Sequence, residues 1–175
     1  FAAHRKQQAA ALLVMPLLFL WPVPVLPEGR FRLTVLDTGQ GLAVVVSTRS
    51  HHLLYDAGPY FSSRFDAGSD VVLPFLQQQN IRHLDTVVIS HADADHAGGL
   101  PGIQTAFAHA SYLGSDTSVF SPAVNSAPCR AGQQWRWDGV DFTILHPDDA
   151  SYNRNDGSCV LLISAGRSQV LLPGD

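Results

Sequence analysis

Hydrophobic and polar positions change their period along the chain, and each change predicts an element. "FRLTVLDTG" (31–39) and "LAVVVST" (42–48) are β-branched runs separated by Gly39-Gln40-Gly41. "HHLLYDAG" (51–58) is a third run, closing on Asp56-Ala57-Gly58. Short apolar runs bounded by glycine predict a meander of consecutive strands. From Asp70 the spacing lengthens. In "SDVVLPFLQQQNI" the apolar residues Val71, Val72, Phe75 and Leu76 recur at helical intervals, with Ser69 or Asp70 as N-cap and Pro74 inside the first turns. "LDTVVIS" then reads as a buried strand, uniformly apolar from Val87 to Ile89. Strands followed by helix–strand alternation predict an α/β sandwich of layers, and no internal repeat is evident.

The opening of the chain follows neither period. Residues 9–26, "AAALLVMPLLFLWPVPVL", are 18 in number and carry no charge. As a helix they would extend about 27 Å, just short of a bilayer's hydrocarbon core. Pro16, Pro22 and Pro24 weaken the last part of such a helix. A signal peptide competes with this reading, but only "VLPEGR" follows, with no small-residue cleavage site. A buried core helix is the remaining alternative. The expectation is the tail of a transmembrane segment with its linker over 1–29, and a domain over 30–175. His4, Arg5 and Lys6 precede the span, which by the positive-inside rule puts that side in the cytoplasm and the domain on the other face. Arg30 and Arg32 argue the opposite way.

At 175 residues the chain suffices for one domain with a core. A net charge of −4 with 46% hydrophobic residues excludes a disordered tail and a broadly basic nucleic-acid binder. Mild acidity does not exclude nucleic acid, because bound metal ions can supply the positive field. Cys129 and Cys159 could form one bridge in an oxidising compartment, but the preferred reading is two buried apolar residues. Asp138 and Asp141, like Asp148 and Asp149, read as solvated turns. Trp135-Arg136-Trp137 reads as an edge strand rather than a base-stacking platform.

The densest chemistry follows the apolar strand. "SHADADHAGG" (90–99) sets His91, Asp93, Asp95 and His96 within six positions, followed by Gly98 and Gly99. On extended backbone His91, Asp93 and Asp95 would project to one side, and the glycine pair would let the chain fold back. Such groups without a nearby Lys or Arg repel one another electrostatically. A divalent cation removes that repulsion and uses the same ligands. A solvated polar loop without metal is the alternative.

H-x-H-x-D-H after a strand is the signature of the metallo-β-lactamase fold, and here Asp93 replaces the second histidine. With "VLDTGQG", "LLYDAGP", "NRNDGSCVLLI" and the closing "LLPGD", residues 31–175 resemble the metallo-β-lactamase-like C-terminal domain of the ComEC family, competence proteins that form a bacterial DNA-uptake channel. That family places this domain after its membrane-spanning region. The resemblance implies an αββα sandwich, of which this chain would hold the first half plus the strand of the bridging aspartate, C-terminally incomplete. It implies that His91 and Asp93 bind a first metal, Asp95 and His96 a second, and that Asp175 bridges both. Asp56 would orient the cluster rather than ligate. A further histidine ligand is expected before Asp175, where "RNDGS" offers none. His146 reads as structural, and Asn155 or Asp156 as weaker site groups.

The chemistry implied is hydrolysis of a phosphodiester by two divalent ions, with Asp95 and His96 at its centre. Carboxylate-rich ligation favours Mn²⁺ or Mg²⁺, with Zn²⁺ as the softer possibility. The partners implied are single-stranded DNA, the membrane through the N-terminal segment, and other parts of the uptake channel in the bacterial inner membrane. In the family this activity is proposed to degrade the strand that does not enter the cell. Two alternatives remain: a small-molecule ester or lactam hydrolase on the same fold, or a degenerate, non-catalytic domain docking on a transporter.

Overall fold

The computed structural model describes residues 25–149 and 154–175. The span expected over 9–26 lies almost wholly outside them. Among the described residues no helix is long and apolar enough to cross a membrane.

The predicted meander forms. Strands β1 (Arg32–Val35), β2 (Val44–Ser47) and β3 (His52–Tyr55) pair antiparallel in chain order. A small separate hairpin follows, β4 (Tyr60–Ser62) with β5 (Phe65–Asp66). A π-type turn, Gly68–Val72, then runs into helix α1 (Leu73–Gln78). Strand β6 (Thr86–Ile89) lies parallel to β3, as a crossover through a helix allows. Two short helices, α2 (Ala94–Ala97) and α3 (Leu100–Ala106), precede β7 (Ser111–Gly114) and β8 (Asn125–Pro128), both parallel additions. The first sheet therefore has six strands in the order β1-β2-β3-β6-β7-β8. The second has four antiparallel strands, β9 (Gln134–Trp137), β10 (Val140–His146), β11 (Val160–Ala165) and β12 (Ser168–Leu172), in the order β12-β11-β10-β9.

Side chains alternate across the first sheet and fill two cores. Val45, Leu54, Val87 and Ile89 meet Val72, Leu76, Leu100 and Ile103 of the helical layer. Val44, Val46, Leu53, Tyr55 and Val88 face Phe142, Ile144, Leu161 and Ile163 of the second sheet. Central strands covered on both faces must be apolar at every position, which is why "VVI" of β6 shows no alternation. The Trp135–Trp137 segment is indeed the edge strand of its sheet, with Trp135 stacked on Phe142 at 5.3 Å.

Three local expectations are corrected. Cys129 and Cys159 are joined in a disulfide, with Cα atoms 6.1 Å apart. Stacking the sheets brings the end of β8 against the start of β11, and both cysteines are fully buried there. The helix predicted from Ser69 or Asp70 starts as a wider turn, and neither residue caps it. Ala67 stands at the N-cap, and Asp66 before it accepts from the Ser69 amide through Oδ1 at 2.8 Å. Asp138 is not a solvated turn residue. Asp138 and Gly139, at φ 48° and 78°, form the two-residue connection between β9 and β10. The Asp138 carboxylate accepts from Thr48 Oγ1 and the Ser50 amide, both at 2.7 Å, and so ties this hairpin to the β2–β3 turn of the other sheet. Desolvation pushes that carboxyl up, but the donors of Thr48, Ser50 and His51 outweigh it and hold Asp138 well below the ordinary carboxylate range.

Candidate metal centre

The site is assembled at the carboxyl ends of β3 and β6, where loops of parallel strands build sites in α/β sheets. The register Tyr55↔Val88 places Asp56 beside the end of β6, and the Asp56 amide donates to Val88 O at 2.8 Å. Asp56 adopts φ 58° and turns its carboxylate inward, fully buried. Ser90 and His91 continue β6 and are also buried. Asp95 and His96 come from α2 one turn later.

Hydrogen bonds fix how the two histidines present themselves. Asp56 accepts from the Ser90 amide at 2.7 Å and from Ser90 Oγ at 2.8 Å, and lies 2.7 Å from His96 Nδ1. The single hydroxyl hydrogen of Ser90 goes to Asp56. Ser90 Oγ, 3.0 Å from His91 Nδ1, is then left as acceptor, which requires the His91 proton on Nδ1. One buried carboxylate thus orients both rings, His96 directly and His91 through Ser90. In each case the free nitrogen is Nε2. His91 Nε2 is buried without a hydrogen-bond partner. His96 Nε2 lies 3.2 Å from Asp175 Oδ1 and 3.7 Å from Asp95 Oδ2. Burial pushes the Asp56 carboxyl up against the pull of its donors. Desolvation lowers the His96 imidazolium, but the bond to Asp56 and the charges of Asp56, Asp175 and Asp95 more than compensate and raise it.

His91, Asp95 and His96 offer one ligand atom each within 4.8 Å of one another, a group that could hold a divalent metal ion. The fit is chemical as well as spatial, because an orphaned buried imidazole nitrogen beside a carboxylate is what a cation ligand set requires. Asp93 falls outside that group. Its Oδ2 is 3.9 Å from His91 Nε2, and its side chain, 38% exposed, is no more open to solvent than those of Asp95 at 45% and Asp175 at 46%. The extended backbone assumed for residues 91–95 ends at Asp93, which adopts β geometry at the N-terminus of α2, so the helix rather than a strand alternation sets the direction of Asp95. Gly98 and Gly99 do not fold the chain back either. Gly98 closes α2 in helical geometry, and its missing Cβ is where the Tyr60 amide and Ala94 O crowd in. Asn155 and Asp156 are exposed, and their carbonyls serve Ser158 N and His146 Nε2 as acceptors. His146, at the end of β10, is outside the cluster.

Two contributors escaped the sequence reading. Ser90 escaped because a serine ending an apolar strand looks like a boundary. Ser158 carries no sequence signal of its own beside Asn155 and Asp156; its Oγ lies 3.4 Å from His91 Nδ1, and the Cys159 amide that follows donates to Ser90 O at 2.9 Å. Tyr55 clamps this wall, its hydroxyl 2.7 Å from Cys159 O and 3.0 Å from Leu172 O. The signal available was positional: "LLYD" and "VVIS" each end an apolar strand on a polar residue.

Residues 36–175 match the family described as the metallo-beta-lactamase superfamily. The chain is similar to Competence protein ComA of Neisseria gonorrhoeae, 36% identical over 150 residues, covering 85% of this chain and 20% of that protein. It is similar to Recombination protein 2 of Haemophilus influenzae, 33% identical over 151 residues, covering 86% and 19%. The chain thus spans about a fifth of these relatives' length. Among solved structures, a metallo-beta-lactamase from Cronobacter sakazakii superposes with TM-score 0.60 at 19% identity, covering 79% of this chain and 59% of that one. YhfI from Bacillus subtilis, a metallo-beta-lactamase fold protein, superposes with TM-score 0.57 at 18% identity, covering 83% and 63%.

Proposed function

The chain belongs to the metallo-β-lactamase superfamily, and from that premise we propose that it is the metal-dependent phosphodiesterase part of a membrane DNA-uptake protein, acting on single-stranded DNA. The observation that supports the hydrolytic part is the convergence of His91, Asp95 and His96 around an orphaned imidazole nitrogen. The likeness to proteins named for competence and recombination supports the choice of DNA.

In this reading His91 and His96 would offer Nε2, and Asp93, Asp95 and Asp175 carboxylates, to two divalent ions. Such ions lower the pKa of water and neutralise charge on a phosphodiester. With three carboxylates to two imidazoles, the set favours Mn²⁺ or Mg²⁺ over Zn²⁺. Asp56 and Ser90 hold the rings so that no reorientation is needed when ligands arrive. The buried disulfide favours an oxidising compartment, and with it the extracytoplasmic side of the bacterial inner membrane. The test is cleavage of labelled single-stranded DNA by the chain with Mn²⁺, Mg²⁺ or Zn²⁺, alongside a generic ester and a lactam. Metal-dependent cleavage of the DNA alone is expected. Ester or lactam turnover without DNA cleavage would overturn the assignment, and binding of no ion would indicate a non-catalytic docking domain.

A further inference from the structure

Three aromatic side chains stand exposed beside the metal centre on the small hairpin. Tyr60 is 53%, Phe61 52% and Phe65 44% exposed, and they are among the few large apolar residues left uncovered. The phenylalanines form a tilted pair with ring centroids 5.3 Å apart. Between them runs Ser62-Ser63-Arg64, all exposed, with the Arg64 amide donating to Ser62 Oγ at 3.2 Å.

The hairpin is joined to the helix that carries Asp95 and His96. The Ala57 amide donates to His96 O at 2.8 Å, and the Gly99 amide to Gly58 O at 3.0 Å. The Tyr60 amide packs on Gly98 so closely that only glycine fits there. On the other side, Gly41 is pressed against Asp95 O and Pro59, and Phe61 Cζ would sit 3.6 Å from a Cβ on Gly39. The start of the hairpin is therefore held against the segment that carries Asp95 and His96.

We propose that this hairpin is a base-stacking platform that engages single-stranded DNA next to the scission site; the choice of occupant rests on the phosphodiesterase reading. Aromatic faces are sequence-tolerant surfaces for unpaired bases, and an interleaved arginine supplies a cation for the backbone. The composition suits a nucleic-acid strand better than a lipid surface, because the exposed ring pair is flanked by the exposed polar residues Ser62, Ser63 and Arg64, one of them a cation. Bases lie on the rings, Arg64 meets a phosphate, and the adjoining phosphodiester is delivered toward Asp95 and His96. The platform differs from the Trp135–Trp137 pair, whose rings pack against the inter-sheet core.

The test compares oligothymidylate with an abasic phosphodiester chain of equal length, both fluorescein-labelled, on the 175-residue chain. Fluorescence anisotropy in EDTA reads binding without cleavage, and Mn²⁺-dependent cleavage reads KM and kcat. The wild-type chain should bind oligothymidylate more tightly than the abasic chain. Phe61→Ala and Phe65→Ala should each reduce that preference by about five- to tenfold, leaving binding of the abasic chain and the unfolding midpoint unchanged. Phe61→Trp should retain it. Equal wild-type affinity for the two chains, or an undiminished preference in the Phe61→Ala/Phe65→Ala double variant, would overturn the platform. Hairpin-dependent pelleting with phosphatidylglycerol vesicles, without base preference, would overturn it in favour of a membrane contact. Base-dependent binding with cleavage of neither chain would keep the platform and refute the phosphodiesterase reading.

Discussion

Ser90→Ala tests the orienting chain at its middle link. The substitution removes one oxygen that lies 2.8 Å from Asp56 Oδ2, 3.0 Å from His91 Nδ1 and 3.2 Å from His96 Nδ1. The Ser90 amide still donates to Asp56, and His96 still adjoins it, so the carboxylate keeps two of its three partners. Losing a hydrogen bond to a charged, buried group costs about 1.5–3 kcal/mol, and the gap left by one oxygen adds little, so the metal-free chain should be destabilised by about 2 kcal/mol. The larger effect falls on His91. Ser158 Oγ, at 3.4 Å, is a poor replacement acceptor. With Nδ1 no longer held, the proton distributes between the two nitrogens and Nε2 is no longer reserved for a ligand. Removing such a partner of a ligating histidine typically weakens metal binding about 10–100-fold. Calorimetric titration with Mn²⁺ measures the affinity, urea unfolding the stability, and ¹⁵N imidazole spectra of the metal-free chain show which His91 nitrogen carries the proton. A Ser90→Ala chain with unchanged Mn²⁺ affinity and His91 still protonated at Nδ1 would refute the reasoning.

Other perturbations address separate parts of the molecule. Asp95→Asn keeps side-chain volume but removes a proposed ligand charge, and should lower Mn²⁺-dependent cleavage about 10²–10³-fold with little change in unfolding midpoint; Asp93→His should shift metal preference toward Zn²⁺ in the same assay. Asp138→Asn should destabilise the chain by about 1–2 kcal/mol at neutral pH through the weakened bonds to Thr48 and Ser50. Because the folded state holds this carboxyl below its ordinary value, its contribution is complete above the unfolded pKa of about 3.9 and is lost as pH falls below it. Urea unfolding from pH 7 to pH 3 should therefore show the wild-type advantage narrowing only at the acid end. Cys129→Ser/Cys159→Ser opens a link between residues 30 apart, for which chain entropy gives about 3.5 kcal/mol, measurable as a drop in the urea midpoint that dithiothreitol reproduces in the wild type.

What could be read from the sequence was what depends on neighbours in the chain. The β-branched runs before residue 56 give three strands because local alternation and glycine turns suffice to specify a meander. The cysteines show the opposite case. Their spacing of 30 says nothing about distance, because β8 is the last strand of one sheet and β11 an inner strand of the other. Only the stacking of Val44, Tyr55 and Val88 on Phe142 and Ile163 brings the two ends together. Asp138 is similar. Its turn chemistry with Gly139 is local and legible, whereas its partners Thr48 and Ser50 lie about 90 positions earlier, across the gap between sheets.

The site divides along the same line. His91, Asp95 and His96 were visible as a dense ionisable group after an apolar strand, and the fold brings their ligand atoms together. The backbone departs from the extended geometry expected through Asp95. Continued extension would have aligned His91, Asp93 and Asp95, but Asp93 starts a helical turn because the segment through Ala97 has no β-branched residue to hold a strand. That turn brings ligand atoms of Asp95 and His96 within 4.8 Å of His91's, in a group to which Asp93 does not belong. The group that makes the arrangement work, Asp56, could be placed near the cluster only by knowing that β3 and β6 are adjacent and parallel. In a parallel pair the polar residues that end each strand emerge on the same edge, so Asp56 and Ser90 meet although 34 residues separate them. A carboxylate buried there would be unfavourable alone. Its three donors, two of them from the residue that ends β6, make its burial tolerable and at the same time determine which nitrogen each histidine turns toward the opening.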